Sequence, residues 1–178
     1  MDELTPPVDE RDHRQGFMDA EFVLVEYGDY ECPHCKAAYP TVTAVQAEMG
    51  ERLCFVYRHF PLVEIHPHAE LAAEAAEAAG AQDQFWAMHA ALYENSPLLD
   101  YDHLLAYARM TNLDRRRFAG DIEKRAYLPR VREDVASGVQ SEVKGTPTFF
   151  INGMRHPGGY DLESLLEALQ LAPVRRGY

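Results

Sequence analysis

Two short runs of apolar residues, 22–27 and 53–57, stand out in an otherwise mixed chain. Both are nearly continuous and rich in β-forming residues, which is typical of central strands covered on both faces. Between them, apolar residues recur at helical spacing over 33–49, and Gly50 supplies a stop signal. The first sixty residues therefore predict a β-α-β unit with a parallel strand pair.

The pattern changes to helical periodicity between residues 67 and 142. It predicts a series of helices over 68–79, 83–94, 102–110, 114–120 and 122–139. Pro129 is an expected kink or break in the last of these helices. After this block, 148–151 predicts a strand, Asn152-Gly153 predicts a hairpin turn, and Asp161 can cap a final helix.

These elements divide the chain into four parts. Residues 1–20 are mostly polar and predict a mobile or loosely docked N-terminal arm. The core is expected to comprise 21–66 and 143–172, the helical block 67–142 is expected to be an insertion, and 173–178 is expected to be a C-terminal tail. The predicted element order is βαβ, a helical block, then ββα, in one α/β unit.

Composition excludes several classes of function. The 178 residues are 47% hydrophobic, which agrees with a folded globular protein. A net charge of −12 opposes general attraction to nucleic acid. No apolar run approaches the ~18 residues of a membrane span. The acidic, proline-rich start lacks the pattern of a secretion signal, which favours a cytoplasmic location, or a periplasmic or extracellular one if the natural chain carries a signal.

The strongest chemical signal is Cys32-Pro33-His34-Cys35, which follows the first strand and opens the predicted helix. Backbone N–H groups and the positive end of the helix favour an anion there, so we expect a stabilised thiolate at Cys32. Since the thiolate is the attacking species, Cys32 can supply the nucleophile and Cys35 the resolving thiol of disulfide exchange. His34 can lower the pKa of Cys32 further, or it can simply be a solvated residue of the first turn.

Other candidate ligands are less convincing. A structural zinc site normally has four ligands. No second cysteine or histidine pair at a suitable spacing accompanies the motif, so we expect no metal. Cys54 lies alone in a predicted buried strand and is expected to be an inert core residue. His59, His66 and His68 flank prolines in a predicted loop, and we expect them to be solvated.

Gly145-Thr146-Pro147 places a proline at the start of the last predicted strand, where its missing N–H is tolerated. Taken alone, this proline would be expected to be trans. Together with the Cys32–Cys35 motif and the helical block, however, it makes the chain resemble the DsbA-like branch of the thioredoxin superfamily. Residues 85–89 and 149–153 add to the resemblance, which covers roughly residues 17 to 170.

The resemblance implies an α/β thioredoxin fold with an inserted helical block. It also implies that Pro147 is cis and faces the cysteines, and that the backbone of Thr146 helps to hold the substrate chain. Glu26 corresponds to a buried acid that assists proton movement to or from Cys35. A carboxyl in an apolar strand should indeed have a raised pKa, although pairing with a base such as Arg58 is the alternative.

The predicted function is thiol-disulfide exchange with protein or peptide substrates, without a metal or organic cofactor and with an unidentified redox partner. The dipeptide Pro33-His34 resembles the oxidising members, so an oxidase or isomerase is favoured, whereas a cytoplasmic location favours reduction or sensing. A redox-switched, chaperone-like binding module, a cytosolic redox sensor, a metal-binding protein and a glutathione-transferase-like enzyme remain alternatives. The sequence leaves the oligomeric state open.

Overall fold

The computed structural model describes residues 3–175. Its helices and strands follow one another as β1 (His13–Gln15), β2 (Phe22–Gly28), α1 (Pro33–Met49), β3 (Leu53–His59), α2 (Ala69–Gly80), α3 (Phe85–Asn95), α4 (Tyr101–Met110), α5 (Arg115–Glu123), α6 (Leu128–Gln140), β4 (Thr148–Ile151), β5 (Met154–Arg155) and α7 (Leu162–Leu171). A single turn of 3-10 helix, Gly50–Arg52, joins α1 to β3.

The five strands form one sheet in the order β1-β3-β2-β4-β5. Strands β2 and β3 are parallel and connected through α1, while β4 runs antiparallel to β2 and pairs with β5 in a hairpin. Every residue of β2 and β3 is buried, as their continuous apolar character predicts. The predicted α/β fold, with its βαβ and ββα units around a helical block, is confirmed.

The two faces of the sheet are covered differently. One large apolar core lies on one face of β2 and β3. It is shared by α1, by α7 and by most of the helical block, including α3. The opposite face packs against the N-terminal segment and against Val135 of α6. The N-terminus of α1 lies directly beyond the end of β2. Cys32 therefore belongs to the large apolar core on the α1 face of the sheet.

The predicted helix is broken shortly before Pro129, which does not kink a continuous helix. Pro129 occupies the first turn of α6, where its missing N–H would have had no helical partner in any case. The predicted helix over 122–139 is therefore divided: α5 ends at Glu123, and Arg125 takes a φ of 54° before α6 begins.

The N-terminal segment packs more firmly than its polar composition suggests. Residues 13–15 form β1 and pair with β3, and the side chain of Leu4 is buried. At the other end, the backbone N–H of Arg175 donates to the carbonyl of Glu21, so part of the predicted tail is also held. Residues 1, 2 and 176–178 of the predicted arm and tail lie outside the described residues.

None of the helices within residues 3–175 combines the length and the apolar character that crossing a membrane requires.

Candidate functional site

Cys32 and Cys35 lie at the junction of β2 and α1. Cys32 is the N-cap of α1 and has an extended backbone, and Pro33 occupies the first helical position. Cys35 follows within the first turn and is completely buried, whereas Cys32 retains 3% exposure. Both are free thiols. The sulfur of Cys32 therefore lies where a helix N-terminus presents N–H groups without helical partners, a position that favours an anion.

The surroundings of Cys32 stabilise its thiolate. A hydrogen bond from the thiol of Cys35 has the largest effect, and the backbone N–H groups of Cys35 and His34 add to it. Burial acts in the opposite direction, but the pKa of Cys32 still falls to about 5. Cys32 is consequently mostly thiolate at neutral pH, the form that attacks disulfides.

Cys35 shows the opposite behaviour. Desolvation raises its pKa well above 9.0, and the hydrogen bond that it gives to Cys32 and the nearby charge of Glu26 act in the same direction. Cys35 is thus protonated at neutral pH and must lose its proton before it can act as a nucleophile.

The loop before β4 lies against the nucleophile. The Thr146–Pro147 peptide bond is cis, and the sulfur of Cys32 lies 3.4 Å from the carbonyl oxygen of Thr146. An open groove runs along this loop and is lined by Lys144, Gly145, Thr146, Pro147, Thr148 and Arg155. Sequence positions more than 110 residues apart are thereby brought together at one surface. The groove therefore lies along the same loop whose Thr146 carbonyl contacts Cys32.

Glu26 is buried behind the cysteines in the middle of β2. It is 2% exposed, and its Oε1 has no hydrogen-bond partner. Desolvation raises its pKa to about 8, with a further contribution from the charge of Cys32. The suggested pairing with Arg58 is wrong: Glu26 is in register with Tyr57, so Arg58 projects from the other face of the sheet.

The comparisons with known proteins agree with this architecture. A family model described as Thioredoxin matches residues 9–170. The chain belongs to the thioredoxin family. A solved thioredoxin-like oxidoreductase from Silicibacter pomeroyi DSS-3 is 26% identical and superimposes with a TM-score of 0.80, covering 91% of this chain and 92% of its own.

Two further solved structures share the fold of this thioredoxin-family chain. BdbD from Bacillus subtilis is 24% identical, with a TM-score of 0.79 over 88% of this chain and 90% of its own. A variant of alpha-DsbA1 from Wolbachia pipientis, in which two cysteines are replaced by alanine, is 22% identical, with a TM-score of 0.79 over 95% and 93%. The family model confirms the thioredoxin part of the predicted resemblance, and these two structures show the same fold.

Curated relatives carry a different kind of name. Na(+)/H(+) antiporter NhaA 1 from Salinispora arenicola is 44% identical over 171 residues, which are 96% of this chain and 26% of the antiporter. A Mycobacterium sp. strain KMS antiporter of the same name is 43% identical over 94% of this chain and 28% of its own length. This thioredoxin-family chain thus spans about a quarter of the curated relatives that it matches.

Sequence reasoning missed Asp29, which organises the turn before the cysteines. One carboxylate oxygen accepts from the backbone N–H of Glu31, while the other accepts from the backbone N–H of Leu62 and lies 2.7 Å from Nδ1 of His66. A neighbouring pair joins Glu31 to His68 at 3.0 Å. The Gly28-Asp29 sequence could have signalled this turn, because aspartate often bonds to backbone groups close by.

The prediction of solvated loop histidines is wrong for His59 and incomplete for His66. His59 is the last residue of β3, is fully buried and lies 2.9 Å from Oε1 of Glu77 through its Nε2. His66 is partly buried against Asp29. Local sequence does not reveal the burial of His59, because its partner Glu77 is 18 residues away. Glu77 lies on α2, whose alanine-rich face is buried.

His59, Glu77 and Asp134 bring possible metal-ligand atoms within 4.8 Å of one another. Each carboxylate already has protein partners: Glu77 is shared by two histidines, and Asp134 accepts from the backbone N–H of His59 and from Arg130. These bonds describe a buried hydrogen-bonded network that ties α2 and α6 to β3.

His34 and Cys54 occupy contrasting positions. The side chain of His34 is exposed, and its Nδ1 lies 2.9 Å from the hydroxyl of Tyr160. Among the contacts that lower the pKa of Cys32, His34 contributes its backbone N–H. Cys54 is buried in β3 on the face of the sheet opposite to Glu26, and desolvation raises its pKa.

Proposed function

We propose that this chain is a thiol-disulfide oxidoreductase that exchanges disulfides with protein or peptide substrates. The observation that carries the proposal is the opposite behaviour of two neighbouring cysteines: the pKa of Cys32 is lowered to about 5, whereas that of Cys35 is raised well above 9.0. A stabilised thiolate beside a protonated thiol provides an attacking group and a resolving group.

In the reducing direction, the thiolate of Cys32 attacks one sulfur of the substrate disulfide, and the other substrate sulfur leaves as a thiolate. Glu26 in its ionised form then accepts the proton of Cys35, and Cys35 attacks the sulfur of Cys32. A Cys32–Cys35 disulfide forms, the mixed disulfide breaks, and the substrate leaves with both sulfurs reduced. In the oxidising direction the same steps run in reverse, so Glu26 returns the proton to Cys35 as it leaves.

The surface around Cys32 supports a peptide as the substrate. The carbonyl of Thr146 beside the nucleophile can accept a hydrogen bond from the backbone of an extended chain. Val63 and Ile65 are 55% and 67% exposed in the loop that His66 ties to the turn before Cys32. Apolar side chains of a partly folded substrate can bury against such residues.

The low pKa of Cys32 favours an oxidising role. A thiolate that is stabilised in the folded protein stabilises the reduced form, and a stable reduced form makes the disulfide a stronger oxidant. We therefore propose a DsbA-like oxidase or isomerase that is returned to its oxidised form by a separate redox partner.

The proposal does not include the sodium and proton exchange for which the curated relatives are named. The match covers 26% to 28% of the antiporters described above, so sodium and proton exchange belongs to much longer chains. For the present chain, the proposal is limited to the redox chemistry of its cysteine pair.

The test of the function is a trapping experiment. Cys35→Ser should accumulate a mixed disulfide through Cys32 when it is incubated with an oxidised peptide, because the resolving thiol is gone. Cys32→Ser should accumulate none. Intact-mass measurement followed by peptide mapping identifies the adduct, and Cys54→Ser serves as the control. An adduct that maps to Cys54, or no adduct at all, would contradict the proposal.

The relative stability of the two redox forms should reverse with pH. The pKa of Cys32 is about 5 in the folded protein, against about 8.5 when unfolded, so its thiolate stabilises the reduced form by about 3 kcal/mol at pH 7. This stabilisation is fully present above the unfolded pKa and disappears as the pH falls through the folded one. The Cys32–Cys35 disulfide closes a loop of only four residues, so it stabilises the oxidised form by only about 2 kcal/mol.

We therefore expect the reduced form to be the more stable one at neutral and higher pH, with the order reversing between roughly pH 6 and 7. Urea unfolding of both forms across this range provides the measurement. Reduced Cys32→Ser should lack the pH-dependent gain. An oxidised form that stays more stable up to about pH 8 would argue against an oxidising role.

A further inference from the structure

An open groove of about 800 Å³ lies between helices α4 and α5 of the helical block. Leu105, Ala106 and Ala119 give it an apolar lining, and Leu105 is itself partly buried against the large apolar core. The same groove is lined by the arginines at positions 109, 115 and 116. It therefore combines apolar surface with concentrated positive charge.

The three arginines of this groove lack the partners that other arginines of the protein have. Among residues 3–175, the arginines whose side chains make no hydrogen bond, ion pair or ring contact are Arg109, Arg115, Arg116 and Arg132, and all but Arg132 line the groove. Arg117 shows the contrast, because it donates to the carbonyl of Ala81 and lies 3.9 Å from Asp121. The groove thus gathers guanidinium groups that the fold itself does not use.

Two of these arginines lie at the unfavourable end of a helix. Arg115 and Arg116 occupy the first turn of α5, which contains no acidic residue. A helix N-terminus carries partial positive charge, so cations there reduce stability, whereas Arg109 in the last turn of α4 is favourably placed.

The carboxylate that also lines the groove does not neutralise these charges. Asp114 is the N-cap of α5, and its Oδ1 accepts from the backbone N–H groups of Arg116 and Arg117. It satisfies the helix end and forms no ion pair with a groove arginine. Departures from local stability rules are expected mainly at functional sites, so the positive charge of this groove indicates a binding role.

The chemistry of the groove selects one kind of occupant. Guanidinium groups pair with carboxylates through two parallel hydrogen bonds, and the apolar lining can bury aliphatic side chains. An amphipathic segment with acidic residues beside its apolar ones satisfies both. The net charge of −12 repels acidic chains elsewhere, but at physiological salt a charge is screened beyond about 8 Å, so the local arginines dominate at contact.

Two other occupants fit less well. A symmetric contact between the grooves of two copies would place arginines against arginines, which disfavours self-association through this face. A lipid surface is too flat to enter a recess between two helices, so its headgroups would reach the arginines but leave the apolar lining uncovered. The observations therefore favour a protein segment.

The groove is separate from the exchange site. It shares no lining residue with the groove that runs along the loop before β4. An occupant between α4 and α5 thus leaves Cys32 and the carbonyl of Thr146 uncovered.

We propose that the α4–α5 groove docks an acidic, amphipathic segment of a partner protein, with its carboxylates on Arg109, Arg115 and Arg116. The docking goes beyond the proposed disulfide exchange, because it requires neither cysteine. A partner held in the groove presents its own thiols or disulfide to Cys32 at a raised effective concentration. The groove therefore selects partners by a feature that lies outside the cysteines that they exchange.

The test is a binding measurement with two synthetic peptides. One carries leucine and glutamate at helical spacing, and the matched peptide has glutamine in place of every glutamate. Both are labelled with the same fluorophore, and anisotropy follows their titration with the oxidised protein. The acidic peptide should bind about tenfold more tightly at about 0.05 M salt, and this advantage should largely disappear at about 0.5 M.

Three exposed arginines outside the groove supply the matched control. Replacing Arg109, Arg115 and Arg116 together by alanine should weaken binding of the acidic peptide about tenfold. The control replaces the arginines at positions 11, 52 and 132, which are exposed and do not line the groove, and should bind like the unmodified protein.

A further variant adds a repulsive charge to the groove and keeps every arginine. Ala106→Glu places a carboxylate at an exposed lining position of α4 and should also weaken binding of the acidic peptide. All these variants should exchange disulfides with a short uncharged peptide at the unmodified rate, because the exchange site is not altered.

The outcomes separate docking from disulfide exchange. Equal binding of the two peptides, or an equal loss in the two triple variants, would overturn the docking proposal alone. Arginine-dependent binding to phosphatidylglycerol vesicles without binding of the acidic peptide would overturn it in favour of a lipid surface. Arginine-dependent binding of the acidic peptide, in a protein whose Cys32 traps no oxidised peptide, would support the groove and overturn the exchange function.

Discussion

Replacing Glu26 by leucine should stabilise the reduced protein by about 3 kcal/mol at pH 7. The pKa of Glu26 rises from 4.5 to about 8 on folding, so at neutral pH the protein must protonate a group that is ionised in the unfolded chain. This penalty is absent below pH 4.5, grows as the pH rises, and is complete above pH 8. Leucine removes it and suits the apolar neighbour Phe149 on β4.

The same variant should resolve mixed disulfides more slowly, because the proton acceptor for Cys35 is gone. Urea unfolding between about pH 4 and 9 tests the stability, and the gain should shrink towards zero at the acidic end. Leucine at the exposed Glu51 should leave both stability and exchange almost unchanged. A destabilised Glu26→Leu would contradict the view that the buried carboxyl is costly, and unchanged resolution would contradict its role in proton transfer.

Replacing Asp12 by alanine should destabilise the protein by about 3–5 kcal/mol. Asp12 and Arg58 form a two-point ion pair with N–O distances of 2.8 and 2.9 Å, and their side chains are only 5% and 3% exposed. Without the aspartate, the guanidinium of Arg58 would remain buried without its counter-charge. Its other partners, the carbonyls of Pro6 and Pro7 and the hydroxyl of Tyr27, carry no full charge to replace it.

A surface ion pair supplies the matched control. Glu21 and Arg52 lie 3.0 Å apart but are 45% and 56% exposed, so Glu21→Ala should cost at most about 1 kcal/mol. Thermal and urea unfolding of both variants gives the comparison. If Asp12→Ala were as mild as Glu21→Ala, the N-terminal segment would not contribute to the cooperative core as the structure indicates.

The core elements could be predicted because their signals are local. Strand β2 and helix α1 each follow from a short periodic pattern, and Gly50 marks the end of α1. The cysteine pair is equally local, since the helix that activates Cys32 begins at the next residue. Such features depend on neighbouring positions, which is the information that a single sequence carries most clearly.

The missed features depend on distant partners. Strand β1 consists of His13, Arg14 and Gln15, which show no apolar alternation, and it exists because the edge of β3 offers free backbone groups. Arg58 is a plausible partner of Glu26 from sequence alone, because only the strand register shows that the two side chains lie on opposite faces of the sheet. The burial of His59 likewise depends on α2 folding over it, and local polarity cannot reveal that packing.

The docking of the N-terminal segment also has a consequence for biosynthesis. Its first described residues find their partners almost at the far end of the chain: Leu4 donates to the carbonyl of Gly153, and Thr5 donates to Ser141, 136 positions later. Contacts of such long range form only after the intervening chain has been ordered. Leu4 and Thr5 therefore reach their final place only after the chain as far as Gly153 has been synthesised.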